Sequence, residues 1–402
     1  MAATICGGFD ALPVQHATGS PSGRQARTGV HPGGGTDGQR EHRVEPSGLV
    51  LTTCQSGFEE LAAREMADLL HLAVRGKGPG WLRTEASAAQ DDGAWRSAVF
   101  PHLTLFDPIE VRGDTVNALA NAAIEVFLAG LEGERIDAPW PNFWRGSSAS
   151  VGLGRRVAAV ESAFTQQLRK RYSRVAKLAI ADLPRGVGRV RGLFVLFTDF
   201  RHLLLGREAF CHGPRRMAAD PRAPSRSFLK VEEAYGVLGR KPGPGETVCD
   251  LGAAPGGWSY SAARRGARVI AVDNGPLKGG ALNHPAIEHL REDAFGFSPG
   301  VAKSFDWLFC DLVEEPNRVW RDLVEPWLAR GWCRNFIVNL KFGRVDPIAL
   351  LRQLRVPRGV LTRCVPDARI SHLYHDREEF TVVGSLGPRL AESAPRDRSE
   401  PA

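Results

Sequence analysis

The chain changes its hydrophobic rhythm several times. A strand-like run opens at Gly48-Leu-Val-Leu-Thr52. Phe58, Leu61, Ala62 and Met66 then recur at intervals of three and four, which puts apolar side chains on one helical face. Further strand-like runs lie near His71–Arg75, Trp81–Thr84 and Leu103–Val111, and a second helix is predicted from about Thr115 to Leu131. Residues 155–182 read as one long basic helix. Val160, Phe164, Leu168, Val175 and Leu178 share its apolar face, and Arg169, Lys170, Arg171, Arg174 and Lys177 decorate the rest. That basic face fits a solvated surface as well as an RNA-binding one. Gly192–Phe197 and His202–Leu205 add two strands.

From Phe228 the rhythm becomes one of short apolar runs separated by helical stretches. The runs are Thr247–Leu251, Arg268–Val272, Phe305–Cys310, Asn335–Leu340 and Phe380–Val383. Continuous apolar strands alternating with helices predict a mostly parallel sheet covered on both faces. The predicted fold class is therefore α/β: a doubly wound domain over 217–388, preceded by α+β modules at 47–132 and 133–216. Residues 1–46 are rich in Gly, Pro, Ser, Thr, Arg and His without apolar periodicity, which predicts a disordered leader. A mis-annotated start and an RNA-contacting tail are the other readings. Residues 389–402 are expected to be a disordered tail.

Composition narrows the class. Hydrophobic and charged fractions of 43% and 24% are those of an ordinary globular protein. No apolar run approaches the roughly 20 residues of a membrane-spanning helix, and no secretory signal opens the chain, so the expected location is the cytoplasm. The seven cysteines form no Cys-x-x-Cys pair, against a zinc ribbon or a redox motif, and no metal is expected. Cys249 and Cys310 read as small buried hydrophobes. A formal charge of +7 suits a polyanionic partner, though weakly. Only eight of the 52 basic residues are lysines, which draws attention to each lysine kept, because lysine can lose its proton and arginine in practice cannot.

The chemistry centres on Asp250-Leu-Gly-Ala-Ala-Pro-Gly-Gly-Trp258, a loop between a buried strand and a helix. Its glycines permit sharp turns and close approach of a ligand to the main chain. Ligands of open α/β sheets bind beyond the carboxyl ends of the strands, and Asp273 ends the next strand where an acid typically meets ribose hydroxyls. The dinucleotide fingerprint fails: Ala254 replaces its second glycine and a proline follows. A nucleoside cofactor without phosphates, S-adenosylmethionine, fits better than NAD. Asp293 stands where a third strand would end and is placed to meet the adenine edge. Asp311 closes a buried strand, a costly place for an unpaired carboxylate. Lys341 ends the next strand, Glu379 opens the last, and Lys230 precedes the sheet.

Lys230, Asp311, Lys341 and Glu379, in that order and with this loop, resemble the tetrad of the FtsJ-like RNA ribose 2′-O-methyltransferases. Ala223–Ala234, Val272-Asp-Asn-Gly-Pro276, Leu290-Arg-Glu-Asp293, Gly331-Trp-Cys-Arg334 and Leu373–Glu379 are similar to one branch, the ribosomal RNA large subunit methyltransferase M family. The similarity is dense over 217–385 and thinner before, where Leu51–Leu61 resembles the family's first strand–turn–helix. The resemblance implies a Rossmann-like methyltransferase domain behind ferredoxin-like and THUMP-like modules, and methylation of a cytidine 2′-hydroxyl in 23S rRNA. It implies cofactor contacts at Ser227, Ala254, Pro255, Gly256, Gly257, Asp273, Asp293 and Asp311, with Lys341 as proton acceptor and Lys230, Asp311 and Glu379 completing the tetrad. Neither a membrane nor DNA is expected as a partner, and a monomer or weak oligomer is expected. Ala254 stands where the family often has cysteine, and the leader has no counterpart there.

The base role makes a demand. A lysine near its usual pKa of about 10.4 is under about 1% neutral at pH 7–8, so Lys341 must be depressed to act as a base. Burial and Lys230 push it that way and the two carboxylates oppose. Orienting the hydroxyl and stabilising the developing alkoxide is its alternative part. Other functions compatible with the sequence are methylation of another RNA, a non-catalytic RNA-binding protein with a degenerate domain, and an NAD-dependent oxidoreductase.

Overall fold

The computed structural model describes residues 48–85, 92–131, 133–148, 151–300 and 304–387, so the predicted leader and tail lie outside the described residues. β1 (Leu49–Thr53), α1 (Glu59–Asp68), β2 (Val74–Gly78), β3 (Trp81–Glu85), α2 (Asp92–Ser97) and β4 (Leu103–Phe106) come first. β5 (Ile109–Arg112), α3 (Val116–Ala129), β6 (Trp140–Gly146), α4 (Leu153–Arg171), α5 (Ser173–Leu178), β7 (Ala179–Ile180), β8 (Gly188–Phe197) and β9 (His202–Cys211) follow. All nine strands share one sheet, in the order β2-β3-β1-β4-β9-β8-β6-β7, with β5 also on β9. The two α+β segments are thus joined through β9, which pairs with both β4 and β5.

Two predicted elements divide. The run Leu103–Val111 breaks into β4 and β5 because Asp107 takes φ +43° and Pro108 has no N–H to give to a ladder. The helix predicted over 155–182 breaks at Tyr172, which leaves helical geometry at φ −140°. Past the break, Trp140 Nε1 donates to the Val175 carbonyl at 2.9 Å, and β7 pairs with β6. Tertiary pairing there overrides helical periodicity. α3 starts as its sequence suggests: Thr115 caps it by accepting from the Ala118 amide at 3.1 Å.

The second sheet follows α6 (Phe228–Leu238). It contains β10 (Thr247–Leu251), β11 (Arg268–Val272), β12 (Ile287–Leu290), β13 (Phe305–Cys310), β14 (Cys333–Lys341), β15 (Arg369–Ser371) and β16 (Glu379–Ser385), with α7 (Gly257–Ala263) after β10. Its order is β12-β11-β10-β13-β14-β16-β15. The first five strands run parallel, and β16 is antiparallel to both neighbours. Apolar residues on its strands face alternate sides. Leu308 and Cys310 join one core with Phe336, Val338 and Leu340, whereas Trp307 and Phe309 join Ile337, Val383 and α6 on the other. This is the doubly covered sheet that the continuous apolar runs predict.

The two sheets share a core. His372 N donates to Val99 O at 2.8 Å, and its ring sits 4.3 Å from that of Phe58. Glu65, fully buried, accepts from the amides of Val99 and Phe100 at 2.7 and 3.0 Å. Among the described residues no helix is long and apolar enough to cross a membrane.

Phe309 is fully buried in the central strand, against Tyr235, Trp258 and Trp307. Phe309→Ala is expected to cost about 3–5 kcal/mol, read as a lower urea midpoint with an unchanged slope.

Candidate active site

The parallel strands deliver their carboxyl ends to one edge, and the glycine loop lies there. Gly252 and Gly256 take φ +78° and +104°, a region that disfavours side chains. A Cβ on Gly252 would fall 2.6 Å from Leu312 Cδ2, and one on Gly256 would fall 2.5 Å from Ala281 Cβ. The amide of Ala254 donates to Asp273 Oδ2 at 3.0 Å and that of Gly275 to Oδ1 at 2.7 Å, so the main chain aims this carboxylate. A groove of about 160 Å³ opens beside it, lined among others by Gly252, Asp273, Asn274, Asp293, Leu312 and Arg318.

Asp273 and Asp293 therefore share one groove with Gly252. Asp293 is exposed, and its Oδ1 accepts from the Phe295 amide at 3.1 Å. Ser227 lies behind the loop: a Cβ on Gly257 would come within 2.9 Å of its Oγ, and Trp258 Nε1 donates to its carbonyl at 2.9 Å. Pro255 follows Ala254 through a cis peptide. Bare main chain at Gly252 and an aimed acid at the end of β11 suit a ligand carrying a ribose, and the groove has room for part of a nucleoside. Asn274 belongs to the run Val272–Pro276, whereas Leu312 and Arg318 form no recognisable motif and only the fold brings them to this groove.

The tetrad follows from strand parity and register. Lys341 and Glu379 are direct partners across β14 and β16. Asp311 follows the end of β13, which runs parallel to β14. Odd positions on these strands face α6, and α6 carries Lys230. The four side chains meet there. Lys341 Nζ lies 2.5 Å from Asp311 Oδ1 and 3.9 Å from Glu379 Oε2. Lys230 Nζ lies 2.5 Å from Glu379 Oε1 and 4.0 Å from Asp311 Oδ1. Each lysine thus sees both carboxylates. Lys341 is the most open of the four, at 23% exposure against 11% for Lys230. Burial pulls Lys230 down, but Asp311, Glu379 and Asp376 outweigh it and hold its pKa above the usual lysine value. Burial pushes Glu379 up, and the two lysines overcome it and hold the carboxyl below its usual value.

A layer of buried carboxyls supports the tetrad, and the sequence did not single it out as functional. Asp376 accepts from the Leu373 amide, Thr381 Oγ1 and Asn339 Nδ2 at 2.9, 3.1 and 3.2 Å. Burial pushes it up to about 7 against the pull of Lys230. Glu233, one turn from Lys230, accepts from the amides of Arg215, Tyr374 and His375 at 2.8, 2.9 and 3.2 Å. Burial, then the charge of Asp376, raises it well above the usual range. Glu232-Glu233 reads in sequence as an ordinary helix face, and only the packing separates the two. Asp250, fully buried, accepts from Ser259 Oγ at 2.6 Å and is pushed by burial up to about 7.

Sheet order, glycine loop and tetrad define a Rossmann-like methyltransferase fold, and the FtsJ-like methyltransferase family matches residues 223–322. The chain is an S-adenosylmethionine-dependent methyltransferase. Ribosomal RNA large subunit methyltransferase M of Xanthomonas oryzae pv. oryzae is 33% identical over 365 residues, covering 85% of this chain and 100% of its own. The protein of that name from Xylella fastidiosa is 34% identical over 369 residues, with the same coverage. That of Halorhodospira halophila is 44% identical over 199 residues, covering 48% of this chain and 57% of its own. The chain belongs to the ribosomal RNA large subunit methyltransferase M family, a family of RNA methyltransferases. Among solved structures, TrmN from Thermus thermophilus matches 84% of this chain and 99% of its own at 16% identity and a TM-score of 0.32.

Two outcomes are expected. Gly256→Ala adds the strain of a left-handed non-glycine residue, about 1–2 kcal/mol, to a clash with Ala281. Calorimetric titration should show S-adenosylmethionine affinity reduced about tenfold or more. Asp250 and Asp376, both raised to about 7, favour the folded state most below pH 4, and that stability is lost as pH rises through 7. Asp250→Asn should lessen the fall in unfolding free energy, read from urea titrations between pH 4 and 7, by up to about 1.4 kcal/mol per pH unit.

Proposed function

We propose that this enzyme transfers a methyl group to the ribose 2′-hydroxyl of a cytidine in 23S ribosomal RNA. The convergence of Lys230, Asp311, Lys341 and Glu379 at the sheet edge beside the glycine loop is the observation that carries the reading. The names of relatives at 33–34% identity over their whole length support ribosomal RNA as substrate. The amino-terminal β-α-β-β-α-β order over Leu49–Phe106, with strands arranged β2-β3-β1-β4, supports a ferredoxin-like module in the first part of 47–132, whereas β5 and α3 share a core with α4, β6, β8 and β9. The segment 133–216 is then the THUMP-like RNA-binding module. We take the protein to act in the cytoplasm, as a monomer or weak oligomer, without membrane or DNA partners.

Asp273 and Asp293 would hold the nucleoside of S-adenosylmethionine, with Ser227, the loop Ala254–Gly257 and Asp311 along the rest of the molecule. When bound, this cofactor supplies a methyl group already activated by its sulfonium, so positioning provides much of the rate. The protein must place the hydroxyl and dispose of its proton. Lys341, the most open member, takes that proton at Nζ, while Lys230 balances the charge of Asp311 and Glu379. The 2.5 Å contact of Lys341 with Asp311 favours a second part for it, in which an ammonium orients the hydroxyl oxygen and stabilises the alkoxide. A pH–rate profile separates the two: a base gains activity as the lysine deprotonates, and an ammonium loses it.

Lys341→Ala is expected to abolish methylation while leaving calorimetric S-adenosylmethionine binding intact, and Lys341→Arg should fail too if a base is needed. Ribose methylation mapped across 23S rRNA of a deletion strain should show one lost 2′-O-methyl, restored by the wild type and not by Lys341→Ala. Undiminished turnover in Lys341→Ala would overturn the assignment.

A further inference from the structure

Arg145 and Arg216 come from separate segments to one ring, Tyr374, on the loop that leads to Glu379, and Arg226 acts on the neighbouring His375. Arg145 lies on β6 of the first sheet, Arg216 in the connection between the sheets, and Arg226 just before α6. Arg145 sits over the ring of Tyr374 at 5.0 Å and Arg216 over the same ring at 5.8 Å. His102 packs on that ring as well, with centroids 4.3 Å apart. Burial and then Arg216 pull the pKa of Arg145 down. Burial, then Arg226 and Arg216, pull that of His375 down. Arg145 and Arg216 therefore feel one another, and neither they nor Arg226 has an ion-pair partner among the described residues. Arg207 and Arg265, also partly buried, are each paired with a glutamate.

Crowding cations on an aromatic ring without an anion is costly, and Arg145 is half-buried. Arg216 is exposed and keeps its hydration, so the cost falls on Arg145, and an anion between the two would offset it. The position of the ring indicates which. Tyr374 and His375 are held by Glu233, one turn from Lys230, and their loop leads directly to Glu379. Any RNA that presents a ribose 2′-hydroxyl to Lys341 carries a phosphodiester on each side of that ribose. Guanidinium forks match phosphate oxygens, and a ring-stacked arginine is already oriented for them.

We propose that Arg145 and Arg216, stacked on Tyr374, clamp a phosphodiester flanking the methylated ribose. The clamp takes one arginine from each side of the junction between the sheets, so it sets the RNA register only when both are docked. These are positioning residues. The inference rests on the RNA-methyltransferase reading, and the test distinguishes the two.

Methylation kinetics and filter binding are measured on protein-free 23S rRNA made by transcription, at several salt concentrations. Losing one phosphate contact lowers the slope of log affinity against log salt by about 0.7–0.9. Arg145→Gln/Arg216→Gln is expected to flatten the slope by about 0.7–0.9 and raise KM for RNA about tenfold or more. It should leave kcat at saturating RNA within about threefold and S-adenosylmethionine affinity unchanged, because the contact holds substrate and transition state alike. Arg145→Lys/Arg216→Lys should restore the slope. Arg216 is exposed, so Arg216→Gln alone tests the clamp without disturbing the core. An unchanged slope and KM in both glutamine variants overturns the clamp. A fall in kcat and cofactor affinity alongside KM overturns it in favour of a structural role. A wild type that neither binds nor methylates the transcript overturns the functional reading instead.

Discussion

Two lysines and two carboxylates share a partly buried volume at the carboxyl edge of a parallel sheet, and their charge balance constrains everything around them. Lysines and carboxylates in so little water persist only if each has a partner of opposite character in reach. Here every lysine touches both acids. Removing one leaves an uncompensated partner in a poor solvent, so the set must be placed as a unit. That placement consumes a cross-strand pair, Lys341 with Glu379, a strand terminus carrying Asp311, and a helix turn carrying Lys230.

The supporting carboxyls show how this arrangement is held. Glu233 gathers amides from the inter-sheet connection and from the loop before Glu379 onto the helix that carries Lys230. Asp376 fastens the same loop to Asn339, two residues before Lys341. These groups need not touch substrate. They fix the backbone from which the tetrad projects, because a buried carboxyl without its full set of donors is expensive. The loop they hold also carries Tyr374, so one set of hydrogen bonds positions both the tetrad and the arginine-stacked ring.

Much of the second sheet is legible in the sequence because its strands are buried on both faces. Continuous apolar runs separated by helices admit few sheets, and residues that close such runs, Asp273, Asp311 and Lys341, must lie at its carboxyl edge. The first sheet reads less well. Leu103–Val111 looks like one strand and residues 155–182 like one helix, because local periodicity does not register where Pro108 interrupts a ladder or where β7 must reach β6. Nor does any local pattern reveal that β9 serves strands of both α+β segments.

By itself the sequence determined the residue types and the order of the tetrad, the loop that excludes a dinucleotide fingerprint, and the acids at strand ends. Each follows from neighbours along the chain and from the cost of burying charge. The tertiary structure alone decided which of Glu232 and Glu233 is buried against amides, that Asp376 is a buried acid, and that Arg145 and Arg216 meet on Tyr374. Those pairings join residues tens to hundreds of positions apart. Their energies depend on desolvation and on partner geometry, which exist only once the two sheets are packed together.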